Sequence, residues 1–118
     1  MNKRQIGAEY EVRAKEYLAA QGVQIIEQNY RCRTGEIDLI GYHQGYLVFI
    51  EVKYRSSEQN GNPAEAVNYH KIRQISKVSD YYLYKHGMGE STAVRYDVVA
   101  ICNNEIIWYE NAFEHVGR

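Results

Sequence analysis

The sequence predicts an α/β fold, a central mixed sheet flanked by helices, with elements in the order α-β-β-β-α-β-β. Two stretches carry apolar residues at helical spacing, one near the start and one past the midpoint. Five others are rich in β-branched and aromatic residues and alternate with period two or run continuously apolar. Glycines at short intervals and a single proline, Pro63, punctuate the chain as turns and caps within one domain.

The first helix is expected from about Arg4 to Gln21, where Gly7, Ala14 and Leu18 share a stripe with Tyr10 and Tyr17 beside it. Gly22 fits the position just past its end, which favours a left-handed backbone. VQIIEQNYRCR follows as an extended segment, Thr34–Gly35 as a turn, and EIDLIGY as a strand. After the turn His43–Gln44–Gly45, YLVFIEVKYR is the strongest strand pattern in the chain. SSEQNGNP reads as a loop. Helical spacing returns from about Ala64 to His86, with Ile72, Ile75, Val78, Tyr82 and Leu83 on roughly one side. GMGES ends that helix, AVRYDVVAI is a strand, Asn103–Asn104 suits a tight hairpin turn, and EIIWY is its partner.

Composition narrows the function classes. At 118 residues the chain fits one domain, and 45% hydrophobic with 25% charged residues is the balance of a folded globule rather than a disordered chain. A net charge of −1 argues against coating nucleic acid by bulk charge while leaving room for a local basic surface. Two cysteines, Cys32 and Cys102, cannot build a disulfide framework and lack metal-type spacing, which suggests a reduced, cytoplasmic setting. The N-terminal residues do not read as a signal peptide, and no run approaches the ~18 apolar residues of a membrane span, so no membrane partner is expected. Tyrosine is unusually frequent, 12 against 2 Phe and 1 Trp, as suits a thin core whose side chains keep a polar tip. The four histidines show no spacing that suggests zinc.

The informative feature is where charges fall on apolar strands. In LVFIEVKY, alternation places Leu47, Phe49, Glu51 and Lys53 on one face and Val48, Ile50 and Val52 on the other. In EIDLI, Ile37 and Leu39 share one face, and Glu36, Asp38 and Ile40 the other. A hairpin through His43–Gln44–Gly45 would set Asp38 near Glu51. Glu11 lies on the edge of the first helix's apolar stripe, where burial needs compensation. Taken singly, these residues are ordinary: an exposed helix acid, a turn-proximal acid, a surface ion pair worth about 0–1 kcal/mol. Converging, they would raise one another's pKa and oppose folding unless offset. Lys53 would relieve one charge, and a divalent cation the rest. Oxygen-only ligands favour Mg²⁺ or Mn²⁺.

The spacing Asp38 … Glu51-Val52-Lys53 resembles the D … E-x-K signature of the restriction-endonuclease-like PD-(D/E)XK nucleases. More closely, IGAEYEVRAKEYL, NYRCRTGEIDLIG, LVFIEVKYR, the Lys71 helix, VRYDVVAI and NAF are similar, in order, to the small bacterial YraN family of uncharacterised proteins. The resemblance implies a restriction-endonuclease-like fold, related to Holliday-junction resolvases, and a metal-dependent endonuclease that hydrolyses phosphodiester bonds in DNA. It implies Asp38 and Glu51 as metal ligands, Lys53 as the group that orients or deprotonates the attacking water and steadies the phosphate, and Glu11 as the N-terminal helix acid of the same metal site. VRYDVV has Tyr96 where the family usually has Phe, which keeps an aromatic ring.

Substrate binding requires cations near these acids, and Arg31, Arg33, Arg55, Lys71, Arg73 and Lys77 are the candidates for nucleic-acid binding. The Lys71–Arg73–Lys77 series reads equally as a solvated helix face. Asp97 is read as a structural acid rather than a site acid. The alternative function is a catalytically silent module on the same fold that binds nucleic acid or a protein. A homodimer is a further expectation for so short a chain with a Tyr-rich surface.

Overall fold

The computed structural model describes residues 3–55 and 67–117, with the side chains of Lys3, Arg4 and Arg55 outside the described set. The expected loop SSEQNGNP and the first three residues of the expected second helix, Ala64 to Ala66, also lie outside it. The order is α1 (Lys3–Ala20), β1 (Gln24–Cys32), β2 (Gly35–His43), β3 (Tyr46–Arg55), α2 (Tyr69–Lys85), β4 (Val94–Cys102) and β5 (Glu105–Tyr109), as the sequence predicts. The strands form one sheet in chain order. β1, β2 and β3 pair antiparallel, β3 and β4 parallel across the α2 crossover, and β4 and β5 antiparallel.

The two helices cover opposite faces of the sheet. Ala14 and Leu18 of α1 pack against Leu39, Val48, Ile50, Val52, Val99 and Ile101 of the sheet. Ile75, Val78 and Tyr82 of α2 pack against Ile37, Ile40, Leu47, Phe49 and Tyr96 of the sheet. β3 is therefore buried on both faces, which is why its first half reads as an unbroken apolar run. α1 ends in a Schellman motif. Val23 N–H donates to Leu18 O at 3.0 Å, Gly22 N–H donates to Ala19 O at 3.1 Å, and Gly22 takes φ 99°.

α2 starts later than its apolar spacing suggests. Asn68 has an extended backbone, and its side chain accepts from Lys71 N–H at 2.9 Å, so the cap and not the periodicity sets the first turn. The expected apolar side of α2 is buried from Ile75 to Leu83, with Ile72 half-buried, and it also contains Ser76 and Ser79. Ser79 Oγ donates to Ser76 O at 2.8 Å and meets the Tyr96 hydroxyl at 2.7 Å, while Ser76 Oγ accepts from Val116 N–H at 3.1 Å. The two hydroxyls are satisfied, which is what lets them sit in a core.

One expectation about faces is corrected. Ile37 packs on the α2 side with Ile40, not on the α1 side with Leu39. Alternation breaks at Asp38, between them. Across β1, the residue at the corresponding register position is Asn29, which takes φ 52°. A left-handed residue in a strand rotates the chain after it, and Tyr30 also turns to the α2 side.

Candidate functional site

The β2–β3 ladder runs from His43↔Tyr46 to Leu39↔Ile50 and stops. One step further, Asp38 would face Glu51. Instead the Asp38 carboxyl reaches past the ladder, where its Oδ2 accepts from Val52 N–H at 2.8 Å and the carboxyl hydrogen-bonds the side chain of Glu51. The strands thus part where the acids begin, and a side chain takes over a backbone bond that the sheet would have made. Burial pushes the Asp38 pKa from 3.8 to about 9, reinforced by the hydrogen bond to Glu51 and by its charge, against the lowering effect of the Val52 amide. Burial and the neighbouring Glu51 thus favour the protonated form of Asp38 well above the usual carboxylate range.

Glu51 is buried, on the α2 side with Phe49. Its Oε2 accepts no hydrogen bond among the described residues, although the Lys71 ammonium stands 3.3 Å away. That contact is an ion pair by distance without the alignment of a hydrogen bond. The cation beside the acid pair is Lys71, from the first turn of α2. Lys53, expected to relieve a charge there, makes no ion pair within 4 Å among the described residues. Lys71 reaches Glu51 because α2 packs on the face of β3 that carries Phe49 and Glu51.

Glu11 reaches the same neighbourhood from the other helix. Burial raises its pKa, a hydrogen bond from the Asn29 amide lowers it, and Glu36 and Glu51 add repulsion. Glu11 in turn raises the pKa of Asp38. Asn29 thus serves twice, as the left-handed residue that bends β1 and as the donor that holds Glu11. Nothing in the sequence marks it, since its role depends on register with β2.

Basic side chains continue from this point. A cleft of about 500 Å³ is lined by Arg31, Arg33, Thr34, Gly35, Glu36, Lys71 and Gln74. A second cleft of about 330 Å³ shares Thr34 and Gln74 and adds His70, Arg73 and Lys77. Five of the six expected cations line these two joined clefts, while Arg55 lies outside the described side chains. Arg31 is partly neutralised by Glu36 at 3.0 Å, an exposed pair. Gly35 brings the β1–β2 turn against α2, because a Cβ there would meet Gln74 at 2.7 Å.

Asp97 belongs elsewhere. It shares a face with Val99 and Ile101, on the α1 side. It is fully buried and accepts four hydrogen bonds: from Arg95 Nε and Nη2, each at 2.9 Å, from Trp108 Nε1 at 2.9 Å, and from Asn111 N–H at 2.8 Å. Arg95 Nη2 also meets His43 Nδ1 at 3.0 Å. This is the structural acid that the sequence suggests.

The acid pair fits a small divalent cation by its chemistry. It offers oxygen donors only, one of them buried and without a directed hydrogen bond. Mg²⁺ and Mn²⁺ take such pairs and complete their coordination with water. Among the described residues no three His, Cys, Asp or Glu side chains converge closely enough to hold one ion. Asp38 and Glu51 are thus the pair that could hold it, with Glu11 standing beside them.

Among the described residues no helix is long and apolar enough to cross a membrane. Residues 10–101 match the model of "Uncharacterised protein family UPF0102". The chain is 46% identical over 117 residues to a UPF0102 protein of Lachnoclostridium phytofermentans, covering 99% of each. It is 46% identical over 114 residues to a relative from Vibrio vulnificus, covering 94% of this chain and 93% of that one. A relative from Persephonella marina is 40% identical over 108 residues, covering 92% of each. With the match running from α1 through β4 and taking in both acids, the chain belongs to the uncharacterised family UPF0102, the YraN family.

Proposed function

We propose that this protein is a metal-dependent nuclease that hydrolyses phosphodiester bonds in DNA, in the cytoplasm. The observation that carries the reading is a buried carboxyl pair, one oxygen of which accepts no hydrogen bond, beside Lys71, which also lines a groove with Arg31 and Arg33. Burying two acids that must share a proton costs the fold stability, whereas a site that binds a cation beside an anion needs carboxyl oxygens and ammonium groups in this proximity. The D … E-x-K resemblance supports the same chemistry.

Asp38 and Glu51 would hold Mg²⁺ or Mn²⁺. When bound, the ion supplies Lewis acidity and positive charge at the phosphodiester. Lys53, two residues beyond Glu51 on β3, orients or deprotonates the attacking water. Arg31, Arg33, Lys71, Arg73 and Lys77 grip backbone phosphates on either side. The water oxygen forms a bond to phosphorus, the bond to the departing sugar oxygen breaks, and that oxygen takes up a proton.

The test is Mn²⁺- or Mg²⁺-dependent cleavage across a panel of linear, nicked and branched DNA. Cleavage is expected from the native chain and should fall to background in Asp38→Asn and Glu51→Gln. Activity that survives both substitutions rejects the assignment. The second reading is a silent nucleic-acid-binding module. The basic clefts favour it because they would hold nucleic acid whether or not the acids do chemistry. Binding without cleavage, unchanged in Asp38→Asn, would select it.

A further inference from the structure

We infer that Lys71 is a resident counter-ion that a divalent cation must displace, and that the displaced ammonium moves to a phosphate in the adjoining groove. The inference rests on the proposed function and adds to it a coupling between cation and nucleic acid.

Three observations carry it. Lys71 is the only cation within 4 Å of either carboxyl among the described residues. Its place, 3.3 Å from a buried oxygen that accepts no directed hydrogen bond, is where an incoming positive ion would be drawn. Two cations at that oxygen repel each other, so binding one weakens the other. Next, Lys71 is held loosely. It stands in the first turn of α2, the end of a helix that disfavours positive charge, and it makes no aligned hydrogen bond to Glu51. A lysine is an ammonium on a flexible stem and can leave such a contact by rotation alone. Finally, the same side chain lines the cleft that Arg31 and Arg33 also line. Its destination is therefore already cationic and needs an anion. A phosphate there would draw the ammonium off Glu51, which frees the carboxyl pair, and a cation at the pair would push the ammonium toward the phosphate. Each ligand thereby tightens the other.

The experiment is a calorimetric titration of the full chain with MnCl₂, repeated with a short phosphorothioate DNA duplex present. Lys71→Met keeps the stem and removes the charge, Lys71→Arg keeps the charge, and thermal melting verifies that each folds. Lys71→Met is expected to bind Mn²⁺ at least about fivefold tighter than the native chain, with Lys71→Arg close to native. The duplex should tighten Mn²⁺ binding to the native chain and do so much less for Lys71→Met. Unchanged or weaker Mn²⁺ affinity in Lys71→Met, or equal coupling in both, overturns the inference. Asp38→Asn should lose the Mn²⁺ site. If it does while Lys71→Met is unaltered, Lys71 is not the displaced counter-ion and the nuclease reading stands. Native chain that binds Mn²⁺ with the expected Lys71 effects but cleaves no DNA rejects the nuclease reading alone. Absence of Mn²⁺ binding in the native chain and in Lys71→Met rejects both.

Discussion

Asp97 on β4 and Glu51 on β3 lie on adjacent parallel strands, one register step apart, with Asp97 beside Ile50 and Glu51 beside Val98. That single step puts them on opposite faces of the sheet. On the α1 face, Asp97 is ringed by four donors from Arg95, Trp108 and the Asn111 amide. On the α2 face, Glu51 shares a hydrogen bond with Asp38 and faces one ammonium. Both acids are buried, so burial alone does not distinguish structure from function. The count of donors does. A carboxylate with every lone pair answered is closed to ligands, while one left short keeps affinity for a cation.

The largest expected effect is at the closed site. Asp97→Ala removes the partner of a buried guanidinium and should cost about 3–5 kcal/mol in chemical denaturation. Asp38→Asn, by contrast, relieves an unfavourable pair and should leave stability equal or higher. Similar losses for both would break the contrast.

A second effect concerns pH. The folded pKa of Asp38 lies above its ordinary 3.8, at about 9. The native state therefore prefers the proton. The stability this confers is complete below pH 3.8 and is lost as pH rises toward 9. Without divalent cations, the melting midpoint should fall between about pH 5 and pH 8, and Asp38→Asn should flatten the decline. A slope that is unchanged in the variant assigns the titration to other groups.

The smallest effect lies at the bend that opens the site. Asn29→Ala keeps a β-carbon at φ 52° without the polar side chain that makes this conformation tolerable for Asn and should cost about 1 kcal/mol, whereas Asn29→Gly adopts the same φ freely and should cost less. Both lose the amide that holds Glu11, so both should raise its pKa further, measurable by carboxyl NMR. Equal stability in the two variants would mean that the bend carries no strain.

Much of this was legible in the residues. The hairpin from EIDLI to LVFIEVKY follows from alternation and a short turn, and it brings Asp38 to Glu51. The basic residues of α2 and of the β1–β2 turn were legible as charges but not as one lining. What failed was any inference that needed a face to persist. Ile37 changed sides because Asn29 and Asp38 interrupt the ladder together. The ammonium at the pair proved to be Lys71, because helix packing and not strand alternation decides what stands over Glu51.

The sequence by itself determined the element order, the doubly covered third strand and the meeting of two acids across a hairpin, since these depend on neighbours in the chain and on periodicities of 2 and 3.6 residues. Only the tertiary structure decided which cation faces those acids, which acid is sealed by donors, and where the strands part. Those outcomes depend on how α2 and β4 are set against β3 from far along the chain, and no local period records that distance.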